Sequence, residues 1–440
     1  MKYLPLPSLI SLLLLVLLSS CSWSTRQGEY PHYRISLDLR PTEQYLAAET
    51  VLSFVSPVDD LRSASFHLHR QLDVTSVESD LLAEYTIDNE TPPGVLWMPE
   101  ARWLNLAFTR PLSEGERIDI TFRYEGTVKD QPPYLANVLT PEWVELGLYL
   151  PWFPLNAEYG DFTYELDVSC DPAYEVRSSG PVHRRRGQLI FTEESPVNDI
   201  VVVAAPDLKT SSNSGPNLQV QVYYVSIVDS TAVQIGDDLF RSTALYESWF
   251  GGTGREHVAL IVSPRVSGGG YARTGLIVLG GMDDAGFAAN REGYLRYIAH
   301  ESAHLWWNFA SPESWHDWLN EGLAEFSALL AVRELAGPEA FRTRLERKRE
   351  ESADTPPLWG FDRNDSSTPE KSAAIQHNLY DKGPVLLYEL YQRLEHDAFC
   401  ALCHRMVIEQ TATTQALLTL LKDISDPETA EWFEDALRTR

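Results

Sequence analysis

The stretch of sequence that decides the fold of the second half of this chain is His300-Glu301-Ser302-Ala303-His304. On an α-helix, residues four apart lie on the same face, one turn from each other. The imidazoles of His300 and His304 can then bind one zinc ion side by side. Glu301 lies next to them, where a carboxylate can act as a general base. The motif predicts a metal site on a helix.

A second helical stretch, about fifteen to twenty residues downstream, carries two acids. A catalytic zinc site needs a third protein ligand and one open position, and Glu321 is the candidate ligand. Glu325 lies one turn further along the same face, where it can accept a hydrogen bond from a ligand histidine and fix its tautomer. The alternative is a solvated helix face with two acids. Because a metal bound by the histidine motif needs a further ligand, we favour the metal-site interpretation. We predict one zinc ion per chain.

The motifs resemble those of the gluzincin metallopeptidases of the aminopeptidase N type. The signature of that family is His-Glu-x-x-His, then eighteen residues, then the Glu of an Asn-Glu-Gly motif. Asn320-Glu321-Gly322 matches this motif, but only the sixteen residues 305–320 separate it from His304. We therefore expect a shortened loop between the two ligand-bearing helices.

A third segment, Tyr380-Asp381-Lys382-Gly383, resembles the family segment that carries a catalytic tyrosine. The resemblance implies a zinc-dependent peptidase that acts on peptide or protein substrates, in which Glu301 is the general base and Tyr380 stabilises the oxyanion. Without the resemblance, a tyrosine at the start of a helix is more often a packing residue.

The segment expected to bind substrate departs from the family pattern. Family aminopeptidases carry Gly-x-Met-Glu-Asn before a Gly-Leu-Ile strand, and its Glu binds the free α-amine of the substrate. The matching positions here, before the strand that starts at Gly275, are Gly269-Gly270-Tyr271-Ala272-Arg273. Ala272 cannot pair with an ammonium group, and Arg273 would repel one. We expect weak or altered aminopeptidase activity, with endopeptidase or narrow-specificity cleavage as alternatives, and Glu142 or Glu145 as a substitute amine anchor.

Apolar residues alternate with polar ones over most of residues 30–210, which is typical of half-buried antiparallel strands. We predict an all-β saddle or sandwich domain there, and a boundary loop at 211–216 because that stretch is rich in Ser, Asn and Gly. The resemblance implies a thermolysin-like, mainly helical catalytic domain over 217–440, without the large helical domain that many family members carry after it. The predicted fold class is α+β with two domains.

Local signals place the helices of the second domain. Asn290 is a candidate N-cap for a helix that continues to about Asn308. Another helix is expected from Trp315 to Leu335, and an irregular loop over 353–376. Four further helices are predicted at the end of the chain, over residues 381–395, 397–410, 414–423 and 427–438.

The N-terminus reads as a targeting signal. Lys2 precedes an apolar run that is too short to span a membrane comfortably, and the run ends in Leu18-Ser19-Ser20-Cys21. This ending resembles the bacterial lipobox, in which the cysteine is lipidated. We predict a signal peptide over 1–20, a tether over 21–29, and attachment to the bacterial cell envelope through a lipid on Cys21, facing the periplasm or the exterior. The alternative is an ordinary signal peptide with an incidental cysteine.

The formal net charge of −27 argues against nucleic acid as a partner, because that role needs clustered Lys and Arg. The Cys400-x-x-Cys403-His404 pattern fits c-type haem attachment, but an apolar stripe around it favours thiols packed on a helix. His67 and His69 share one face of a predicted strand, and we interpret them as a solvated face rather than a metal site.

Two alternatives to an active peptidase remain open. The first is an inactive relative that uses the same scaffold to bind peptides or a partner protein. The second is a structural envelope lipoprotein that contains a zinc site. The presence of Glu301 and Tyr380 favours an enzyme, because a binding protein does not need them.

Overall fold

The structure is a computed structural model that describes residues 30–94, 97–129, 131–132, 136–156, 160–180, 182–185, 188–266 and 269–439. The predicted signal peptide, the tether and Cys21 lie outside the described residues. Within them, none of the helices has the length and apolar character needed to cross a membrane.

The first domain is built from three β-sheets. In chain order its described strands are β1 (His32–Arg40), β2 (Tyr45–Val55), β3 (Leu61–His69), β4 (Asp73–Glu78), β5 (Leu82–Asp88), β6 (Ala101–Leu112), β7 (Arg117–Thr127), β8 (Val138–Leu139), β9 (Val144–Leu146), β10 (Phe162–Cys170), β11 (Glu175–Ser178), β12 (Val182–Arg185), β13 (Gln188–Val197) and β14 (Val202–Ala205). The sheets have the strand orders β12-β13-β10-β1-β2-β7-β4, β11-β14-β9-β8 and β3-β6-β5.

Alternate side chains along many of these strands are buried, and the buried side chains form the core of the first domain. On β1, the side chains of Ile35, Leu37 and Leu39 are buried while those between them are more exposed. They pack in one apolar cluster with residues from all three sheets. The predicted all-β domain is therefore confirmed, and its core comes from the alternation that a pleated strand imposes.

The predicted boundary loop at 211–216 is wrong. Residues Lys209–Ser214 form strand β15, which pairs antiparallel with β16 (Gln219–Tyr224). β15 is an edge strand with exposed or half-exposed side chains, so its polar composition resembles that of a loop. The sheets of the first domain end at β14, and the junction lies at residues 206–208.

The second domain begins with a five-stranded sheet in the order β15-β16-β17-β19-β18, where β17 is His257–Val262, β18 is Gly270–Arg273 and β19 is Leu276–Leu279. One face packs against α1 (Asp229–Phe250) and α3 (Arg291–Ala303). The other face packs against the β11-β14-β9-β8 sheet of the first domain, through residues such as Val201, Val203 and Ile261. The sheet is thus covered on both sides, and β18 forms one edge.

Helices make up the rest of the domain. They are α2 (Asp284–Ala289), α4 (Trp318–Ala336), α5 (Pro338–Ser352), α6 (Pro369–His377), α7 (Gly383–Ile408), α8 (Thr414–Ile424) and α9 (Pro427–Thr439), with a 3-10 turn at Trp315–Asp317 and a π-helical turn at Asn378–Lys382. The four helices predicted at the end of the chain agree with α7, α8 and α9 to within a few residues, because Glu395 (φ 62°) breaks α7 into two parts.

Two helix predictions need correction. The predicted loop over 353–376 ends in α6, which Thr368 caps by accepting a hydrogen bond from the backbone N–H of Lys371. The helix that starts after the Asn290 cap ends at Ala303 rather than near Asn308.

The interpretation of His67 and His69 as a solvated face is also wrong, because both side chains are buried. Nε2 of His67 lies 2.9 Å from the Pro93 carbonyl oxygen, and Nδ1 of His69 accepts a hydrogen bond from the backbone N–H of Gln71. Cys403 is buried in α7, as the packing interpretation predicts, while Cys400 is partly buried.

Candidate metal centre and substrate cleft

Three side chains from α3 and α4 meet at one point. Ligand atoms of His300, His304 and Glu321 lie within 4.8 Å of one another. Nε2 of His300 is 3.3 Å from Oε2 of Glu321, and Nε2 of His304 is 3.7 Å from the same oxygen. The residues that the sequence places on two separate helices are therefore brought together.

The other ring nitrogen of each histidine has its own hydrogen-bond acceptor. Nδ1 of His300 lies 3.0 Å from Oε2 of Glu325, and Nδ1 of His304 lies 2.9 Å from the Trp307 carbonyl oxygen. Since a carbonyl and an ionised carboxylate can only accept, both Nδ1 atoms donate. The Nε2 lone pairs are then free to point towards Glu321, which is the arrangement that metal-ligating histidines show.

The early end of α3 explains how His304 obtains its acceptor. After Ala303 the chain turns sharply, and the indole N–H groups of Trp306 and Trp307 donate to the Gly251 carbonyl and to Ser327 Oγ. Both indoles are buried. A continued helix would point these adjacent side chains about 100° apart, so burial of both favours the turn. The turn brings the Trp307 carbonyl back to His304.

The residues around Glu321 explain its placement. Asn320 donates from Nδ2 to the Ala310 carbonyl at 2.8 Å and accepts at Oδ1 from the Ala310 backbone N–H, which ties down the loop between α3 and α4. At Gly322, an added Cβ would lie 3.6 Å from the Cα of Gly383. This is ordinary van der Waals contact, so α4 packs directly against the start of α7 here, next to the π-helical turn.

Tyr380 lies in that π-helical turn. Its ring centroid is 5.8 Å from that of His300, and its hydroxyl lies near the carboxylate of Glu321. Burial and the charge of Glu321 raise the pKa of Tyr380 well above its usual value. The phenol therefore keeps its proton and remains a hydrogen-bond donor. Single-turn π-helices occur often at functional sites, and this one shifts Tyr380 to the metal centre.

Glu325 is fully buried and is held by two cations that the sequence analysis did not single out. Its Oε2 lies 2.5 Å from Nη1 of Arg296, and its Oε1 lies 2.7 Å from Nζ of Lys348. Burial opposes ionisation, but the charges of Arg296 and Lys348 outweigh it and hold the pKa of Glu325 well below its usual value. Lys348 also donates to the Tyr380 carbonyl, so it links Glu325 to the tyrosine segment. Arg296 lies one turn before His300, but only the tertiary structure reveals its partner.

The field at the three-residue centre favours positive charge. Burial disfavours a charged imidazole, yet the hydrogen bonds with Glu321 and Glu325 outweigh it and raise the pKa of His300 to about 10. Burial likewise opposes a charged Glu321, but His304 and His300 lower its pKa to about 2. A site that holds an extra proton this strongly also attracts a divalent cation.

The donor set fits zinc. Two imidazole nitrogens and one carboxylate oxygen match a three-ligand site with an open fourth position, and the hydrogen bonds at both Nδ1 atoms support the geometry. Zinc would be held by His300, His304 and Glu321. Among the residues that the structure describes, this is the one group of three or more potential ligands that lie close enough together.

Glu301 faces the edge strand β18. An added Cβ at Gly270 would lie 2.9 Å from Oε1 of Glu301 and 2.8 Å from the hydroxyl of Tyr297, so a side chain at this position would displace the ends of these two side chains. Burial raises the pKa of Glu301, although the charges of His300 and His304 lower it in part. The higher pKa makes the carboxylate a better proton acceptor.

The expectation that Arg273 would oppose a substrate ammonium group is wrong. Ala272 and Arg273 pair with Ile277 and Leu276 of β19 and, as neighbours on a strand, point to opposite faces of the sheet. Arg273 points towards the first domain, where its Nε lies 2.8 Å from Oδ2 of the fully buried carboxylate of Asp199. The guanidinium is neutralised there and does not line the cleft.

Glu145 is also placed away from the cleft. Its fully buried carboxylate accepts hydrogen bonds from Ser263 Oγ at 2.6 Å, from the Trp143 indole at 3.0 Å and from the Tyr271 hydroxyl at 3.1 Å. These bonds occupy it at the junction of the domains. Glu142 is exposed and does not line the cleft either. Neither acid is positioned as the amine anchor.

The centre opens into a cleft of about 700 Å³. His300, Glu301 and Tyr380 line it together with Gly269 and Gly270, and one wall is formed by α5. The cleft has room for a ligand the size of a short peptide.

Comparison with known proteins places this site in a family context. Residues 276–435 match the family model described as the peptidase family M1 domain. This part of the chain is similar to an M1 peptidase domain. The match contains the three potential metal ligands and Tyr380, so the predicted relationship to metallopeptidases of the aminopeptidase N type is supported where the motifs lie. No curated protein sequence matches the chain.

Solved structures share the fold of both domains. An M1 zinc metallopeptidase from Deinococcus radiodurans superposes with a TM-score of 0.71 over 94% of this chain and 94% of that one, at 19% sequence identity. A mutant of that enzyme bound to a Tyr-Ser-Ala substrate gives a TM-score of 0.69 at 18% identity, over 94% of each chain. A two-domain M1 zinc metallopeptidase mutant bound to L-tryptophan gives 0.70 at 19% identity, over 94% of this chain and 95% of that one.

These comparisons confirm the predicted α+β architecture, in which a β-rich domain precedes a mainly helical domain. They also confirm the predicted enzyme class, a zinc metallopeptidase, at the level of domain and fold.

Proposed function

We propose that this chain is a zinc-dependent peptidase that hydrolyses peptide bonds in the cleft between β18 and α5. The observation that carries the proposal is the convergence of His300, His304 and Glu321, with Glu301 and Tyr380 on either side. The match to the M1 peptidase domain covers the same residues.

Each residue has a chemical role that follows from its surroundings. Zinc, when bound, supplies Lewis-acid activation of water and of the scissile carbonyl. Glu301, whose pKa is raised by burial, accepts a proton from the attacking water and delivers it to the leaving amine. Tyr380 keeps its hydroxyl proton and donates a hydrogen bond to the oxygen that becomes negative in the transition state.

Two variants test the proposal. His300→Ala should lose the bound zinc, as measured by elemental analysis of the purified protein. Glu301→Gln should retain zinc and lose nearly all hydrolysis of a peptide library, because the ligands remain while the base is absent. Unchanged zinc in the first variant, or wild-type turnover in the second, contradicts the proposal. A wild-type protein that binds zinc and peptides but cleaves none supports the alternative of an inactive peptide-binding relative.

We further propose that the enzyme does not read the substrate amine as ordinary family aminopeptidases do. Ala272 stands where the family carries its amine-binding Glu, and neither Glu142 nor Glu145 replaces it in the cleft. The test compares cleavage of a peptide with cleavage of its N-acetylated form. We expect both to be cleaved at similar rates. If acetylation abolishes cleavage, another group reads the amine and the inference from Ala272 is wrong.

We also propose that the protein is anchored to the bacterial cell envelope by a lipid on Cys21. The support is the lipobox-like Leu18-Ser19-Ser20-Cys21 after an apolar run. A Cys21→Ser variant should leave the membrane fraction or remain unprocessed, because it lacks the acyl anchor. A wild-type protein that fractionates as soluble contradicts this proposal.

A further inference from the structure

One wall of the cleft is a single face of α5. Arg344, Arg347, Lys348 and Glu351 lie at positions i, i+3, i+4 and i+7, which share one side of a helix, and all four line the cleft. Beside this face, Phe341 and Leu345 pack into the helical core of the domain. The helix therefore presents three cations to the space next to the metal centre, in a chain whose net charge is −27.

Of the four cations that line this part of the cleft, three form ion pairs with carboxylates of the protein, namely Arg296, Arg347 and Lys348. Arg296 and Lys348 both bind the carboxylate of Glu325, at 2.5 Å and 2.7 Å. Arg347 binds Glu351 at 2.8 Å, on the exposed rim. These three cations have carboxylate partners within the protein.

Arg344 is different. It is half-buried, it takes part in none of these ion pairs, and its buried Nε has no hydrogen-bond partner among the described residues. Burial and the nearby charge of Arg296 both lower its pKa, while the exposed Glu292 opposes this from beyond ion-pair distance. A guanidinium stays charged in such surroundings. A buried donor such as this Nε–H normally has an acceptor. A ligand bound in the cleft can supply that acceptor.

The position of Arg344 places that ligand near the reacting atoms. Arg344 lies one turn before Lys348, which contacts the Tyr380 carbonyl. Its neighbour Arg296 lies one turn before His300. Arg344 therefore lies in the same cleft as the metal centre, where it can contact a peptide that is bound there. A guanidinium binds a carboxylate through two parallel hydrogen bonds, which gives orientation as well as affinity.

We propose that Arg344 is a specificity-determining residue that binds a carboxylate of the substrate, either the C-terminal carboxylate of a short peptide or an acidic side chain close to the scissile bond. This inference rests on the proposed function, because it takes the cleft to be the peptide-binding site. It predicts a preference for short or acidic peptides over neutral, C-terminally blocked ones.

The test measures binding separately from turnover. The zinc-loaded Glu301→Gln protein is titrated by calorimetry with three peptides: Ala-Phe-Ala with a free C-terminus, its C-terminal amide, and the amide of Ala-Phe-Glu. At least one carboxylate-bearing peptide, the free acid or the glutamate-containing amide, should bind more tightly than the neutral amide. Adding Arg344→Gln should weaken binding of that peptide about tenfold and leave the neutral amide unchanged, since only the charged hydrogen bonds are lost. Arg344→Lys should fall between the two.

The matched control is Arg342→Ala. Arg342 lies on α5 too, but its guanidinium pairs with Glu339 and does not line the cleft. It should bind all three peptides as the parent does. If the glutamate-containing amide also depends on Arg344, a side chain can supply the carboxylate; if only the free acid does, the C-terminus supplies it.

The inference is overturned if neither the free acid nor the glutamate-containing amide binds more tightly than the neutral amide, or if Arg344→Gln weakens binding of all three peptides to the same extent. This outcome is separate from the fate of the proposed function. A wild-type protein without turnover but with an Arg344-dependent preference for carboxylates contradicts the peptidase proposal and leaves this inference supported.

Discussion

Asp199 of the first domain and Arg273 of β18 form a buried ion pair, with 2.8 Å between Oδ2 and Nε. The guanidinium also lies 4.7 Å from the ring centroid of Tyr271 and 5.4 Å from that of Tyr149. The contacts with Asp199 and Tyr149 attach the edge strand of the cleft to the first domain, while Tyr271 belongs to the same strand as Arg273. The first domain therefore supports the site, because it contacts the strand that places Gly270 beside Glu301.

Arg273→Ala should therefore destabilise the protein strongly. Removing one partner of a buried pair leaves Asp199 charged and without its counter-ion, which costs about 3–5 kcal/mol. The measurement is the free energy of unfolding from urea titrations. Arg62→Ala is the control, because Arg62 pairs with Asp60 on the surface, and its loss should cost less than about 1 kcal/mol. Equal effects of the two substitutions would show that the Arg273–Asp199 pair stabilises the protein no more than an exposed ion pair does.

Glu325→Gln should lower zinc affinity by about 10–100-fold without removing a ligand, because the amide orients His300 less well and donates less charge to it. Competition with a chromogenic chelator measures the affinity. Glu334→Gln on the same helix changes an exposed acid that pairs with Arg333, and should leave zinc binding unchanged. Similar zinc affinities in both variants would show that Glu325 does not contribute to zinc binding.

Tyr380→Phe should lower kcat about 10²-fold and leave zinc content and KM nearly unchanged, because the hydroxyl acts on charge that develops in the transition state. Steady-state kinetics with a peptide substrate separate the two constants. Tyr45→Phe removes a hydroxyl that donates to Glu125 on the surface of the first domain, and should have no effect on kcat. A change in KM alone for Tyr380→Phe would assign the residue to substrate binding.

His69 makes the stability of the protein depend on pH. Burial lowers the pKa of His69 from 6.5 to about 4, so the folded protein holds the neutral ring. Between these two values the unfolded chain binds more protons, and stability falls as the pH is lowered from about 6.5 to about 4. The shift corresponds to about 3 kcal/mol.

His69→Gln removes the titrating ring. The decrease in the free energy of unfolding over that pH range should therefore be smaller in the variant than in the wild type, by the same amount. Urea unfolding at pH 7 and pH 4.5 measures the difference. Parallel profiles for the wild type and the variant would show that His69 does not titrate with the shifted pKa.

Local signals in the sequence determined much of the helical domain. The spacing of His300 and His304 requires a helix for both imidazoles to meet one ion, and the helix is present with the predicted Asn290 cap. The helices near the C-terminus were predictable for the same reason, since apolar spacing and capping residues act over one or two turns. The strands of the first domain followed from alternation, which is equally local.

Contacts between distant parts of the chain decided the rest. The end of α3 at Ala303 depends on burial of Trp306 and Trp307, and the strand at Lys209–Ser214 forms because β16 supplies its hydrogen bonds. His67 and His69 share a face, as their spacing requires, but only packing determines that this face is buried.

The same distinction applies to the site. The sequence alone predicts His300, His304, Glu321, Glu301 and Tyr380 as site residues, because spacing on a helix and motif resemblance can be seen along the chain. Only the tertiary structure shows that Arg296 and Lys348 share Glu325, that Arg344 is left without a carboxylate, and that Arg273 faces Asp199 from 74 residues away. Charge partners and the face a side chain occupies depend on which elements pack together, and that packing depends on the core as a whole rather than on any local pattern.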